Sequence, residues 1–205
     1  SPSTRKGSAK PMIARLNFTP MAPQEYLEWE STQDVKYAYV NGEVFAMTGG
    51  TIPHNQIALN LASALKAHLR GKGCLVVMAD VKVEVSQNGP YHYPDVMVSC
   101  DGRDRNAIKL IRYPSLIVEV LSPGTADYDR GDKFTHYRQI PTLKEYVLIS
   151  ADQISVDRYR RISSRRWDLQ TYIETETLSL TSVDWQASIE LLYEDVRFAE
   201  NAEEG

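Results

Sequence analysis

The stretch that decides the fold is Leu116-Ile117-Val118-Glu119-Val120-Leu121, an apolar run interrupted by a single carboxylate. An apolar run of this length is typical of a strand that is buried on both faces at the centre of a sheet. A carboxylate in such a strand is costly to bury unless it meets a cation, a hydrogen-bond network or a metal ion. The sequence therefore predicts a central strand in which Glu119 has a special role.

A second carboxylate stands in a comparable place, in Tyr93-Pro94-Asp95-Val96-Met97-Val98. Two acids on neighbouring strands can hold Mg²⁺, which takes one or two carboxylates and keeps water in its remaining positions. Structural roles stay open for both. Asp95 could be an exposed acid at the start of an edge strand, and Glu119 could be half-exposed or paired with an arginine.

The residues before these strands predict a hairpin between two helices. Residues 36–47 form two strand-like runs around Asn41-Gly42, a dipeptide typical of a tight hairpin turn. A short helix over 21–30, capped by Thr19, is expected before the hairpin. After it, apolar residues at three- and four-residue spacing from Pro53 toward Gly71 predict an amphipathic helix.

The remaining segments are mostly strand-like. Alternation of apolar and polar residues predicts strands, while a spacing of three to four residues predicts helices. The predicted strands are 75–78, 81–85, 91–98, 115–121, 145–149, 153–160 and 166–173, and the predicted helices are 129–139 and 187–198. This order predicts an α/β or α+β fold, a mixed β-sheet flanked by helices.

The chain has 205 residues, 42% of them hydrophobic, which suits one domain over 19–198. Residues 1–18 are expected to be a leader or flexible tail, and 199–205 an acidic tail. No apolar run is long enough to cross a membrane, and no secretory signal precedes the domain, so a cytoplasmic protein is expected. Cys74 and Cys100 are expected to be reduced core thiols.

Several motifs together resemble the Uma2 family, which is grouped with the restriction endonucleases of the PD-(D/E)XK superfamily. The resemblance covers roughly residues 20–150. The motifs are Tyr39-Val40-Asn41-Gly42-Glu43-Val44, Pro53-His54-Asn55, Pro94-Asp95, Val118-Glu119-Val120-Leu121-Ser122-Pro123, Asp129-x-x-x-Lys133-x-x-x-Tyr137 and Glu145-Tyr146.

The resemblance implies an endonuclease that uses Mg²⁺, or Mn²⁺ in its place, to hydrolyse phosphodiester bonds of DNA. It implies that Asp95, Glu119 and Glu43 hold the metal ion. The superfamily lysine that follows the glutamate by two residues is replaced here by Leu121, and the resemblance assigns its role to Lys133. Helical periodicity places Asp129 and Lys133 on one face, where they could equally form an ordinary exposed ion pair.

Two residues of the predicted site have plain alternatives. Glu43 could be a hairpin residue that serves solubility, and His54 could cap a helix instead of contacting a phosphate or a metal-bound water. His92 and His136 lack the spacing of a zinc site and are expected to be structural or solvated.

The function also has alternatives. A degenerate relative would bind nucleic acid or a protein partner without cleaving it, and the missing lysine at position 121 favours this hypothesis. A third hypothesis is a metal-dependent phosphoesterase that acts on RNA or a small molecule. A homodimer is expected only by analogy with nucleases that cut two strands.

One sequence feature suggests a nucleic-acid contact. The predicted hairpin at 153–173 has five arginines in a segment of nine residues, 158–166. Tyr159 lies between these arginines, and Trp167 follows the last of them. Such a surface can neutralise phosphates or stack on bases, but a solvated hairpin is the simpler interpretation. The arginines are Arg158, Arg160, Arg161, Arg165 and Arg166.

Overall fold

The structure is a computed structural model that describes residues 13–15, 19–47 and 49–198. Its helices are α1 (Pro23–Glu30), α2 (Ile52–His68), α3 (Ala126–Arg130), α4 (Asp132–Tyr137) and α5 (Ile189–Leu192). Its strands are β1 (Ile13–Arg15), β2 (Tyr37–Val40), β3 (Glu43–Met47), β4 (Leu75–Met78), β5 (Lys82–Glu84), β6 (Tyr91–His92), β7 (Val96–Ser99), β8 (Leu110–Ile111), β9 (Leu116–Leu121), β10 (Glu145–Ser150), β11 (Ser155–Arg161), β12 (Trp167–Ile173), β13 (Thr177–Leu180) and β14 (Trp185–Ser188).

The strands form two six-stranded sheets and a two-stranded ribbon, so the predicted mixed α/β fold is confirmed. The main sheet has the order β12-β11-β10-β9-β7-β4. Its strands are antiparallel except for the parallel pair of β9 and β10. The second sheet has the order β1-β3-β2-β6-β5-β8, and the ribbon pairs β13 with β14.

The predicted central strand is confirmed. Strand β9 lies between β10 and β7, and all six of its residues are buried. On one face, Val118 and Val120 pack in a cluster that includes Leu61 of α2. On the other face, Leu121 packs in a cluster with Phe134 of α4. The apolar run is therefore explained by helices that cover both faces of the sheet.

The predicted hairpin is also confirmed, with Asn41 and Gly42 at φ values of 49° and 85°. Positive φ at both central residues defines the turn that fits the twist of antiparallel strands. The preceding helix begins at Pro23 with Ala22 as its N-cap, so the prediction that Thr19 caps a helix from residue 21 is wrong. Instead, the N–H of Met21 donates to the carbonyl of Gly42, which holds this segment against the hairpin.

Three further predictions of element boundaries are wrong. The segment 91–98 is divided between β6 and β7 by Pro94-Asp95, and these strands belong to different sheets. The helix expected over 129–139 is divided into α3 and α4 at Gly131. The helix expected over 187–198 is only the single turn of α5, because residues 185–188 pair instead as β14.

The prediction of reduced cysteines is wrong as well, because Cys74 and Cys100 form a disulfide. The pairing of β4 with β7 places Leu75 opposite Ser99, so the two flanking cysteines face each other with Cα atoms 4.1 Å apart. The predicted acidic tail and most of the predicted leader lie outside the described residues. Residues 13–15 of that leader form β1, an edge strand on β3.

No helix in the described part of the chain is both long and apolar enough to span a membrane. Helix α2 buries the apolar face that includes Leu61 and Leu65, as the spacing predicted, and leaves Leu59 exposed.

We expect Leu61→Ala to lower the free energy of unfolding by about 2 to 5 kcal/mol, because it would leave a cavity between α2 and the main sheet. Leu61 has no exposed surface, whereas Leu59 on the same helix is 45% exposed. Leu59→Ala is the matched control and should change stability by less than about 0.5 kcal/mol. Urea unfolding followed by circular dichroism measures both, and equal effects would contradict this packing.

Candidate active site

Asp95 and Glu119 lie beside each other at the end of the β7–β9 pair. The register places Val96 opposite Val118, so the preceding Asp95 meets Glu119. The backbone N–H of Asp95 donates to Glu119 Oε1 at 2.9 Å, and the N–H of Val120 donates to Asp95 Oδ2 at 2.7 Å. Each carboxylate is thus oriented by the backbone of the neighbouring strand.

Lys133 joins this pair from α4, on the face of the sheet to which Glu119 points. Its Nζ forms an ion pair with Glu119 and lies 3.3 Å from Asp129 Oδ1. All three side chains are buried, so the alternative of an exposed Asp129–Lys133 pair is wrong. The alternative of an arginine partner for Glu119 is also wrong, since the partner is a lysine.

Burial and like charges shift the pKa values in this cluster. Burial raises the pKa of Glu119, Lys133 opposes that shift, and Asp95 and Asp129 add to it. Burial alone would lower the pKa of Lys133, but Glu119 and Asp129 hold it well above its ordinary value. Lys133 therefore stays a cation among three acids, and the acids outnumber it.

His54 contacts Asp95 from the first turn of α2. Its backbone N–H donates to the cap residue Thr51 at 3.3 Å, and its Nε2 lies 3.2 Å from Asp95 Oδ2. Burial would lower the pKa of His54, but Asp95 raises it and Glu119 and Asp129 add to that effect. The capping role belongs to Thr51, which leaves the imidazole of His54 directed at Asp95.

These side chains line a cleft of about 340 Å³ between the two six-stranded sheets. Met47 contributes from the end of β3, Tyr93 from the segment between β6 and β7, and Tyr128 from α3. The other lining residues are Gly49, Gly50, Thr51, His54, Asp95, Glu119, Val120, Ser122, Pro123, Gly124, Thr125, Asp129 and Lys133. Four of the five residues predicted for the site therefore line one cleft.

Glu43 is the residue that the structure does not bring to the cleft. It lies at the turn end of β3, whereas Met47 at the other end of that strand lines the cleft. At about 3.3 Å per residue, the two ends are separated by about 13 Å. The third carboxylate of the cleft is instead Asp129, which the sequence predicted only as the partner of Lys133.

The comparisons with known proteins identify the family of this chain. Residues 23–190 match the Uma2 family, described as "Putative restriction endonuclease". The chain belongs to the Uma2 family. Two relatives from Synechocystis sp., both described as uncharacterized, are 36% and 32% identical to this chain. The matches cover 88% and 70% of this chain, and 95% and 82% of the relatives.

The fold of this Uma2 protein also matches a crystal structure from Anabaena variabilis, described as a "putative nuclease". The TM-score is 0.70 with 16% sequence identity, and the match covers 85% of this chain and 98% of the other. At that identity, the likeness shows a shared fold. The resemblance inferred from the motifs is thus confirmed at the level of family and fold.

The arginine-rich hairpin of this Uma2 protein, β11 and β12, is largely a structural element. Arg158 donates to the hydroxyl of Tyr172, and Arg160 pairs with the buried Glu145 at 3.1 Å. Arg161 donates to several backbone carbonyls after α4. His92 and His136 also have a structural role. His92 is buried, and its Nε2 lies 3.0 Å from Nδ1 of His136.

We expect Lys133→Met to lower the free energy of unfolding by about 3 to 5 kcal/mol, because it leaves Glu119 buried without its cation. Glu119→Gln in the same chain should recover part of this loss, since an amide carries no charge. A double-mutant cycle from denaturant unfolding measures the coupling. Lys36→Met, which breaks the exposed Lys36–Asp80 pair, is the control and should change little.

If the losses of unfolding free energy caused by Lys133→Met and Glu119→Gln simply add in the double variant, the two side chains are not coupled. That result would contradict the buried ion pair between them. A loss with Lys36→Met equal to that with Lys133→Met would contradict the distinction between buried and exposed pairs.

Proposed function

We propose that this Uma2 protein is an endonuclease that hydrolyses phosphodiester bonds of DNA with the help of Mg²⁺, in the cytoplasm. The observation that carries the proposal is the convergence of Asp95, Glu119 and Asp129 with one buried lysine in a single cleft. Membership of a family described as "Putative restriction endonuclease" supports the reaction class.

The residues of the cleft suit a hard divalent cation. Mg²⁺ prefers carboxylate oxygens and water, and Asp95, Glu119 and Asp129 are three carboxylate residues that line this one cleft. Lys133 is the one lysine or arginine that lines the described cleft, so three acids face a single fixed cation. Within the described residues, no three His, Cys, Asp or Glu side chains are already arranged around one point as a metal site.

Asp95 and Glu119 are the residues that would hold the ion, with Asp129 as the third acid. When bound, Mg²⁺ neutralises charge on a phosphate and lowers the pKa of a coordinated water. The hydrogen bonds that Asp95 and Glu119 accept from the strands fix their orientation before any ligand binds. Such preorganisation is what a site needs to favour the transition state.

Lys133 and His54 would act on the substrate side of the cleft. The Lys133 ammonium is held by Glu119 and Asp129, so it remains charged and can stabilise the negative charge that develops on the phosphate. The His54 imidazole, beside Asp95, can donate to a phosphate oxygen or orient a water. Each role places a donor where charge accumulates during hydrolysis.

The position of Lys133 also addresses the degenerate alternative. That hypothesis rested on the absence of a lysine at position 121, where Leu121 belongs to the core cluster that includes Phe134. The structure instead brings Lys133 to Glu119 from the following helix. A charged amine is therefore present in the cleft, which favours the active enzyme over the binding-only relative.

We expect Asp95→Asn, Glu119→Gln and Lys133→Met each to reduce cleavage of DNA by roughly 100-fold or more, because each removes a charge from the cleft. Single- and double-stranded DNA and RNA would be incubated with each variant at a series of Mg²⁺ and Mn²⁺ concentrations. Asp127→Asn is the matched control, since Asp127 is exposed on α3 and does not line the cleft.

Calorimetric titration of Mg²⁺ into the same variants separates the outcomes. One outcome is that the parent chain binds Mg²⁺, that Asp95→Asn abolishes this binding, and that the parent chain does not cleave DNA. The protein would then bind a metal ion at the proposed site without being a nuclease. Cleavage of RNA alone would replace the proposed substrate. Equal rates of DNA cleavage by the parent chain and Asp95→Asn would contradict the proposed active site.

We expect Asp129→Asn to impair metal-dependent cleavage by roughly 10-fold or more, while Glu43→Gln leaves it nearly unchanged. The physical reason is position: Asp129 lines the cleft beside Lys133, and Glu43 lies at the far end of β3. The dependence of the cleavage rate on Mg²⁺ concentration measures both. A large effect of Glu43→Gln with none of Asp129→Asn would restore Glu43 as the third acid.

A further inference from the structure

Strand β12 forms one edge of the main sheet, and its only charged residue is Asp168. It is seven residues long, contains no proline or glycine, and pairs only with β11 within the described part of the chain. Leu169 and Ile173 are 52% and 57% exposed. A long exposed edge strand with apolar side chains is a ready template for another strand.

The backbone of β12 directs alternate residues away from β11. The N–H of Ile162 donates to the carbonyl of Arg166 at 2.7 Å, which makes these two residues a hydrogen-bonded pair. In an antiparallel ladder such pairs alternate with pairs that do not bond each other. Trp167, Leu169, Thr171 and Ile173 therefore present their N–H and C=O groups outward. In agreement, the N–H of Ile173 bonds the side chain of Glu176 and not β11, so a second strand that pairs with Ile173 has to displace Glu176.

A second copy of β12 is complementary to this edge in the antiparallel direction. If the two-fold axis passes through Gln170, Leu169 faces Thr171 of the other copy and Trp167 faces Ile173. Both are pairs of outward-directed residues, as the ladder requires. The same register places Arg166 opposite Glu174, so opposite charges meet at both ends.

The neighbouring registers are less favourable. Moving the axis to Thr171 would place Asp168 opposite Glu174, which are like charges. Moving it to Leu169 would place Arg166 opposite Tyr172 and leave Glu174 beyond the pairing. Register changes by a single residue would set outward-directed groups against groups already bonded to β11.

We propose that this protein forms a homodimer in which the β12 strands of two copies pair antiparallel about Gln170 and join the main sheets into one. The interface is isologous, so each Arg166–Glu174 contact occurs twice. The exposed residues Leu169 and Ile173 then lie on one face of the joined sheet with Trp167 and Thr171 of both copies. This interface does not depend on the proposed nuclease activity.

Charge exchange tests this register directly. We expect Arg166→Glu and Glu174→Arg each to weaken dimerisation by roughly 10-fold, measured by sedimentation equilibrium of the full chain. The double variant Arg166→Glu with Glu174→Arg should restore the parent dimer. Within one chain the two residues are separated by about 26 Å along the strand, so rescue must come from contacts between chains.

Two further variants keep the test independent of folding. Thr171→Pro removes an outward N–H at a position where an edge strand tolerates proline, and it should give a monomer with cooperative unfolding. Lys66→Glu, an exposed charge reversal on α2, should leave the dimer unchanged. A parent chain that stays monomeric up to high micromolar concentration, or a dimer insensitive to Thr171→Pro, would overturn the proposal. So would a double charge variant that is no better than either single change.

Discussion

The burial of the Glu119 carboxylate in the centre of β9 is the constraint on which the site depends. An acid with 2% of its surface exposed cannot stay charged there unless the surrounding chain supplies donors. The protein supplies two of them, the backbone N–H of Asp95 and the ammonium of Lys133. The first requires β7 to begin beside Glu119 of β9, and the second requires α4 to return over the sheet after β9. The order of the strands and helices therefore determines which groups surround Glu119 in the cleft.

Pro94 and Asp95 occupy the place where the chain passes from the second sheet to the main sheet. A proline cannot donate to a ladder, so a strand that continued through it would lose a hydrogen bond. The interruption lets Tyr93 belong to the wall of one sheet while Asp95 bonds the backbone of the other. The cleft lies at this junction, and the same junction explains why the stretch 91–98 does not form one strand.

Local signals in the sequence were sufficient for the residues whose environment is set by their own strand or helix. Asp95 and Glu119 stood out as charges in apolar strands, and His54 as a polar residue at a helix start. Glu43 was misplaced because a hairpin pattern fixes the register of its strands but not which end of the hairpin faces the cleft. The disulfide was missed for a related reason: Cys74 and Cys100 meet only through the pairing of β4 with β7.

This chain has Leu121 on the strand and Lys133 on α4, where the superfamily pattern has a lysine on the strand. The difference changes the packing of the core around residue 121 more than it changes the charge of the cleft. Strand residue 121 lies in the cluster beneath α4, where a leucine contributes to the core and a lysine would have to extend through it. A lysine on the helix reaches Glu119 from outside this cluster and also contacts Asp129 one turn earlier. Its position is therefore fixed by two acids rather than by the strand. The cleft keeps one amine and three carboxylates, and the sheet beneath it gains a fully apolar strand end.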